Sequence, residues 1–260
     1  LTLLQSDPLQ MQSSHLSFQE FYAARALQSG AFLLPPAASE PWRWSAWWSN
    51  TLRLGAEMGA SFAHGLLASL GSASTSRIEH GLDIRARIAG DRPTALQAIG
   101  ILLKIMQAAD LRDNRFESLS DVQELAQVIR EAGSSCVHLS LAGNAFGVEG
   151  VEELCSVLPI GVKHLDFSRT MHCREHDHES AAGIEAIFAS SCTSQSLLSL
   201  VLQRNRLSDT DGLAIAKALA DGRAPHLTTL DVSRNQLGVQ TAKALEFSMP
   251  ACKSLATLKL

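Results

Sequence analysis

The residues best suited to chemistry in this sequence lie at 171–179. The run MHCREHDHE holds three histidines, one cysteine and three carboxylates within nine residues, and these side chains bind zinc in proteins. The spacing is loose, because His172 and His176 could share one helical face while the other donors point elsewhere. We therefore expect a solvated polar loop at 172–178, with neither a metal ion nor a cofactor.

Signatures of catalysis do not occur in the sequence. There is no G-x-S-x-G nucleophile motif and no G-x-x-x-x-G-K-[ST] phosphate loop, and the Lys-Ser pair in ACKS (251–254) has no glycines to cradle a phosphate. No Ser–His–Asp or Cys–His arrangement can be argued. The sequence therefore predicts a protein that binds a partner and is not an enzyme.

Several arginines occupy equivalent positions of a pattern that recurs about every 30 residues. Strands stacked about 4.8 Å apart would align these arginines in a row along one edge of a sheet. Asp166 and Asp231 could compensate part of their charge. Two interpretations stay open, a compensated solvated surface and a docking row for an acidic partner or a folded-back acidic domain. The residue at this position is Asp113 or Gly143 in the first two copies of the pattern and Arg169, Arg204 or Arg234 in the next three, and Arg206 lies nearby. The outward strand positions that would complete a concave face are His138, Ser140, His164, Ser199, Gln203, Thr229 and Ser233.

The recurring pattern fits the template L-x-x-L-x-L-x-x-N-x-L. Five copies begin at Met106, Cys136, Val162, Leu197 and Leu227, and a sixth, beginning at Leu255, is truncated. The anchor asparagines are Asn114, Asn144, Asn205 and Asn235, with Thr170 in the third copy. The anchors are 30, 26, 35 and 30 residues apart.

Each part of the template has a physical role. The alternating leucines predict a short strand with one buried face. The asparagine can bond backbone groups of the following turn, which threonine could do only in part. The segments after each anchor, such as 150–158 and 212–219, place apolar residues at helical spacing. The sequence therefore predicts an α/β fold, a curved solenoid with strands inside and helices outside. It resembles leucine-rich repeats of the ribonuclease-inhibitor class, which is intracellular.

Residues 1–104 lack the repeat and predict an all-α domain. One helix is expected from Ser17 to Gln28, with Ser17 as N-cap and Glu20 completing a capping box, and another from Ala46 to Leu70. The four tryptophans at 42–48 are expected to pack inside this domain. The predicted division is a helical domain at 1–76, a helical cap or connector at 77–104, and leucine-rich repeats at 105–260.

The run HLSFQEFYAA (15–24) resembles a signature of NACHT–leucine-rich-repeat receptors, and residues 47–67 are similar to the same helical region. The resemblance implies a sensing and autoregulatory segment whose ATPase module, and any homo-oligomer formed through it, would lie upstream. Two other functions stay open. One is a free-standing scaffold or inhibitor, and the other is an activator of small GTPases. The sequence begins at Leu1 and ends within a repeat, so we expect it to be part of a longer chain.

Charge and cysteine usage exclude some partners and favour a compartment. Residues 1–104 carry 8 Lys/Arg against 7 Asp/Glu, while residues 105–260 carry 14 against 19. Neither part has the basic excess of a nucleic-acid binder. The five cysteines form no CxxC pair, which favours free thiols, and no apolar run approaches the ~20 residues that span a membrane. We therefore expect a cytoplasmic protein that binds another protein or an intramolecular domain.

Overall fold

The computed structural model describes residues 2–4, 10–12, 16–71, 82–84, 88, 90–116, 118–132, 135–171 and 180–260. A short antiparallel pair joins β1 (Thr2–Leu4) to β2 (Gln10–Gln12). A parallel sheet of seven strands then runs from β3 to β9 in sequence order. Its strands are β3 (Leu82–Asp83), β4 (Ala108–Asp110), β5 (His138–Ser140), β6 (His164–Asp166), β7 (Ser199–Val201), β8 (Thr229–Asp231) and β9 (Thr257–Lys259).

Helices form the first part of the chain and then alternate with the strands. In the described residues before the sheet, the helices are α1 (Leu16–Ser29), α2 (Ser49–Glu57) and α3 (Ala60–Ser69). Those between and after its strands are α4 (Arg92–Leu103), α5 (Leu119–Ala132), α6 (Gly147–Val157), α7 (Ser180–Ala189), α8 (Ser191–Gln195), α9 (Asp209–Ala220) and α10 (Val239–Ser248). Turns of 3-10 helix lie at Pro36–Ala38, Pro41–Arg43, Ala46–Trp48 and Met249–Ala251.

The middle residue of each strand from β4 to β8 is buried, and these residues pair directly across the sheet. Leu139 lies beside Leu165, Leu165 beside Leu200, and Leu200 beside Leu230. Parallel strands need a crossover connection, and here each crossover contains a helix that covers the same side of the sheet. The other side, which we term the open face, corresponds to the predicted concave face. The predicted fold class, a repeat solenoid preceded by a helical region, is confirmed.

The solenoid begins earlier than the template indicated. Residues 77–104 were expected to be helical, but Leu82 and Asp83 form a strand that pairs in parallel with Ala109 and Asp110 of β4. Ile84, two residues after Leu82, is fully buried like the leucines at the same place in later repeats. The sequence has no asparagine five residues after Leu82, so the template does not detect this strand.

Two helix boundaries in the first domain differ from their predictions. The single helix expected from Ala46 to Leu70 is divided into α2 and α3, because Gly59 has a φ of +72° that no α-helix contains. The helix α1 begins at Leu16, so Ser17 lies inside it and is not its N-cap. Glu20, expected in a capping box, is instead buried and accepts a hydrogen bond from Asn50 Nδ2 of α2 at 3.2 Å.

The hydrophobic core is continuous from the helical region into the repeats. Trp42 and Trp44 are buried as expected, and Trp44 Nε1 donates to the Ala38 carbonyl at 2.9 Å, whereas Trp47 is exposed, contrary to the prediction. Helix α4 packs against α2 and α3 on one side and against α5 of the first template repeat on the other. One cluster of buried side chains therefore includes residues of both parts, from Ala24 of α1 to Leu245 of α10. The helical region covers the first end of the solenoid.

The anchor asparagines join each repeat to the one before it. Asn205 is buried, and its Oδ1 accepts from the backbone amides of Thr170 and Met171 at 2.8 and 3.0 Å. Its Nδ2 donates to the carbonyls of Phe167 and Leu202 at 2.8 and 3.1 Å. A single amide side chain thus bonds four backbone groups of two repeats. Asn144 and Asn235 make equivalent contacts with their preceding repeats, and Asn114 accepts from the Ile88 amide.

Thr170 has the anchor position of the third repeat but bonds differently. Its hydroxyl donates to the Phe167 carbonyl at 2.7 Å, a contact within its own repeat. A hydroxyl has a single proton to donate, and this bond uses it, so the Thr170 side chain has no donor left for the preceding repeat. The junction between the second and third repeats therefore lacks the asparagine bridge found at the junctions of Asn114, Asn144, Asn205 and Asn235.

Candidate functional site

The open face presents two rows of side chains, one on each side of the buried middle residues. The first row consists of Ala108, His138, His164, Ser199, Thr229 and Thr257. The second row consists of Asp110, Ser140, Asp166, Val201, Asp231 and Lys259. The parallel register places members of a row side by side at the strand spacing of about 4.8 Å. This face is therefore a polar surface held on a fixed backbone.

The two histidines of the first row stack on each other. The ring centroids of His138 and His164 lie 4.1 Å apart, and the ring planes differ by 2°. Burial lowers the pKa of His164 below its ordinary value, and the neighbouring His138 and Lys163 lower it further by repelling the protonated form. The pair therefore favours a neutral His164 at pH 7 and presents two flat, polar ring edges to a partner.

The lowered pKa of His164 makes stability depend on pH. The folded state favours the neutral ring of His164. Its contribution to the free energy of unfolding is therefore complete above the ordinary pKa of about 6.5, and it is lost as pH falls through the lower pKa of the folded state. We expect the fall in Tm between pH 7.5 and pH 5 to be smaller in His164→Gln than in the wild type, as measured by circular dichroism. The exposed His226 provides a control, His226→Gln. An unchanged fall in His164→Gln would contradict the assignment.

Aspartates of the second row organise the turn that follows each strand. Asp231 accepts from the backbone amide and hydroxyl of Ser233 at 3.1 and 2.7 Å and from Gln203 Nε2 at 2.7 Å, and pairs with Lys259 at 3.3 Å. Burial alone would raise the pKa of Asp231, but the hydrogen bonds hold it below its usual value. Asp166 likewise accepts from the amide and hydroxyl of Ser168. Gln203, a predicted partner-binding residue, is thus fixed in orientation by its neighbour.

The residues before the anchors share an unusual backbone conformation. Arg169, Arg204 and Arg234 have φ values of 56°, 55° and 60°, and Arg206, which follows an anchor, has 57°. This left-handed conformation costs a residue with a Cβ about 1 kcal/mol, whereas glycine adopts it without strain. The repeated turn therefore sets the direction of each arginine side chain from the strand edge.

Arg169 is neutralised by a residue two repeats away. Its Nη2 lies 2.9 Å from Asp113 Oδ1, and this ion pair passes over Gly143 of the intervening repeat. A Cβ on Gly143 would lie 2.0 Å from the same carboxylate oxygen, so only glycine leaves room for the contact. Asp113 occupies the same repeat position as the arginines. That shared position was visible in the sequence, but the 56-residue separation gave no reason to pair the two.

Asp166 and Asp231, expected to compensate part of the arginine charge, form no ion pair with any of these arginines. Both carboxylates instead bond the serine of their own turn and a polar side chain of the preceding repeat, Ser140 for Asp166 and Gln203 for Asp231. Arg204, Arg206 and Arg234 are exposed, and no carboxylate of the described residues lies within ion-pair distance of them. Among the described residues, these three arginines are therefore exposed and have no ion-pair partner, whereas the fourth, Arg169, is paired.

Other predicted features have the following positions. The segment at 172–178, which has zinc-binding residue types, lies outside the described residues. Among the described residues, no group of three His, Cys, Asp or Glu is arranged to hold a metal ion. Cys136, Cys155 and Cys192 are buried free thiols, and Cys252 is a half-buried one. In the part of the chain that the structure describes, no helix has the length and apolar character that crossing a bilayer requires.

Comparisons with known proteins identify the repeats. A family model described as leucine-rich repeat matches residues 137–155, 193–216 and 223–245. A search of curated proteins gives no match. Among solved structures, the chain is similar to a tropomodulin C-terminal domain from Caenorhabditis elegans, with 11% identity over 60% of this chain and 92% of that one and a TM-score of 0.45. It is also similar to an internalin from Listeria monocytogenes, with 15% identity over 66% of this chain and 39% of that one and a TM-score of 0.35. The chain therefore contains leucine-rich repeats at the matched residues, and their strands belong to one parallel sheet.

Proposed function

We propose that this chain is the ligand-recognising and autoregulatory segment of a NACHT-type leucine-rich-repeat receptor, and that it binds its partner through the open face. The observation that carries the binding role is the set of three exposed arginines that have no ion-pair partner among the described residues and that lie in the turns after strands of one sheet. Leucine-rich repeats are generally protein-interaction modules, and a partner with acidic groups would supply the charge that these arginines lack.

The residues proposed to contact the partner belong to the strands of the open face and to the turns that follow them. Arg204, Arg206 and Arg234 would form charge-assisted hydrogen bonds with carboxylates, and Gln203 is oriented beside them by Asp231. The remaining proposed contacts are His138, His164 and Arg169. Arg169 would contribute least, because binding would have to compete with its ion pair to Asp113.

Two features support the autoregulatory part of the proposal. Helix α1 carries most of the segment that resembles the receptor signature. It belongs to the same continuous core as the repeats, so a displacement of one part is resisted by the other. A partner on the open face and a nucleotide-binding module beside the helical region would thus be coupled through packed side chains.

Changing the free arginines should weaken binding to an acidic probe. We expect the combined variant Arg204→Ser, Arg206→Ser, Arg234→Ser to bind a labelled polyglutamate peptide at least about tenfold more weakly at low ionic strength, with a flatter dependence on salt. Fluorescence anisotropy at several salt concentrations measures both effects. Arg169→Ser is the matched control, and its effect should be less than about threefold. The single variant Arg204→Ser should lose more affinity for the peptide than Arg169→Ser does. Equal losses of affinity in these two single variants would contradict the proposed site.

The receptor assignment has a separate test. Sequencing the transcript upstream of the codon for Leu1 should reveal a G-x-x-x-x-G-K-[ST] loop a few hundred residues before the HLSFQEFYAA segment. If the upstream sequence encodes no phosphate loop, the receptor proposal fails, and a free-standing scaffold or inhibitor takes its place. Stimulated GTP hydrolysis by a small GTPase in the presence of the purified protein would instead favour the activator function.

A further inference from the structure

A groove lies between helices α9 and α10, on the side of the solenoid opposite the open face. Its volume is about 560 Å³, within the range of binding sites for small ligands and single side chains. The least exposed of its lining residues are small, namely Ala216, Ala244 and Ser248. The groove is therefore shallow-walled with a mainly apolar floor, where a helix backbone could approach closely.

An unusually exposed phenylalanine forms one wall. Phe247 is 88% exposed, and Leu213 on the opposite helix is 43% exposed. Helices α9 and α10 begin 30 residues apart, so Phe247 occupies the place that Lys217 has in the preceding repeat. Apolar side chains grouped on a surface mark sites that a partner covers, whereas single scattered ones do not. A phenylalanine beside a leucine and an alanine floor is such a group.

The charged residues of the groove all have the same sign. Lys217 and Lys243 line it, and no carboxylate is among its lining residues. Neither lysine forms an ion pair with any described carboxylate. An occupant that covers the apolar wall would therefore be favoured if it placed acidic side chains against these two lysines.

The walls of the groove are fixed relative to each other before any partner arrives. Asp209 at the start of α9 accepts from the amide and hydroxyl of Thr241 at 3.1 and 2.6 Å and from the Gly238 amide at 2.8 Å. These bonds hold the first turn of α10 against α9. A preformed groove loses little conformational entropy when it is filled.

From these observations we infer that the groove binds an amphipathic helix of another protein, whose apolar face covers Phe247 and Leu213 and whose flanking acidic residues contact Lys217 and Lys243. The apolar face would follow the i, i+3, i+4, i+7 spacing that fits a helix into a groove. This site is distinct from the open face and involves none of the arginines proposed there.

The test uses a fluorescein-labelled synthetic helix of about 16 residues, with leucines at that spacing and glutamates on both flanks. Two comparison peptides have the same leucines distributed around the helix, or lysines in place of the glutamates. Fluorescence anisotropy should show that the wild type favours the acidic amphipathic peptide and that Phe247→Lys binds it at least tenfold more weakly. The double variant Lys217→Glu, Lys243→Glu should favour the lysine-flanked peptide instead.

Val239→Lys is the matched control, because Val239 is also on α10, is 70% exposed and does not line the groove. It should bind like the wild type, and all variants should keep the wild-type Tm because the changed side chains are largely exposed.

The inference is overturned if Phe247→Lys binds normally, if Val239→Lys loses as much, or if the distributed-leucine peptide binds equally well. It is also overturned if the wild type binds none of the peptides at about 1 mM, or if it forms a dimer that Phe247→Lys abolishes.

Discussion

Replacing Leu200 with aspartate should unfold the repeats. Leu200 is fully buried at the centre of β7, between Leu165 and Leu230 on the adjacent strands. An unpaired carboxylate there costs several kcal/mol, and the leucine contacts with both neighbours are lost as well. A domain of this size is stable by only about 5–15 kcal/mol, so we expect no cooperative unfolding transition in urea. Circular dichroism at 222 nm would measure it.

The adjacent position provides the control for this prediction. Ser199 is the preceding residue of the same strand, but it lies on the open face and is partly exposed. Ser199→Asp should therefore unfold at nearly the wild-type urea midpoint. If Leu200→Asp also kept a cooperative transition near that midpoint, the inward and outward assignment of β7 would be incorrect.

Asn205→Ala should produce the second-largest loss of stability. Removing this side chain leaves the amides of Thr170 and Met171 without their acceptor. The carbonyls of Phe167 and Leu202 each lose one donor but keep another, the Thr170 hydroxyl and Asn235 Nδ2 respectively. Each buried unsatisfied group costs about 1–3 kcal/mol, although water entering the space recovers part of this. We expect the free energy of unfolding in urea to fall by about 3–5 kcal/mol.

Asn205→Thr tests whether the amide itself is responsible. Threonine at this place would copy the arrangement of Thr170, whose hydroxyl keeps the bond to the carbonyl three residues earlier. It should therefore cost less than alanine while still losing the contacts with the third repeat. Equal stability of the alanine variant and the wild type would show that the asparagine does not join the repeats.

The template predicted the parts of the fold that are determined by residues close together in the sequence. The leucine spacing and the asparagine anchors lie within eleven residues of each other, so strand, turn and buried face follow from one segment. The strand at Leu82–Asp83 escaped because its anchor is missing, and the break at Gly59 because a glycine inside a helical pattern is usually tolerated.

The charges of the candidate site were less predictable because they depend on contacts between repeats. Sequence spacing placed Arg169, Arg204 and Arg234 at one repeat position, and they share a left-handed backbone conformation there. Which of them is compensated depends on side chains that meet across one or two strands, such as Arg169 and Asp113. The stacking of His138 on His164 likewise follows from the register of β5 and β6 and not from either segment alone.

The threonine at the third anchor has a mechanical consequence for the whole array. In a one-dimensional stack, cooperativity depends on the coupling between nearest neighbours, and the weakest coupling decides where the stack separates. The junction before Thr170 lacks an asparagine bridge, and its side-chain links include the Ser140–Asp166 hydrogen bond, the His138–His164 stack and the exposed Arg169–Asp113 pair. Under tension or in mild denaturant, the solenoid would divide there into two cooperative blocks, and salt would ease the separation by screening that pair.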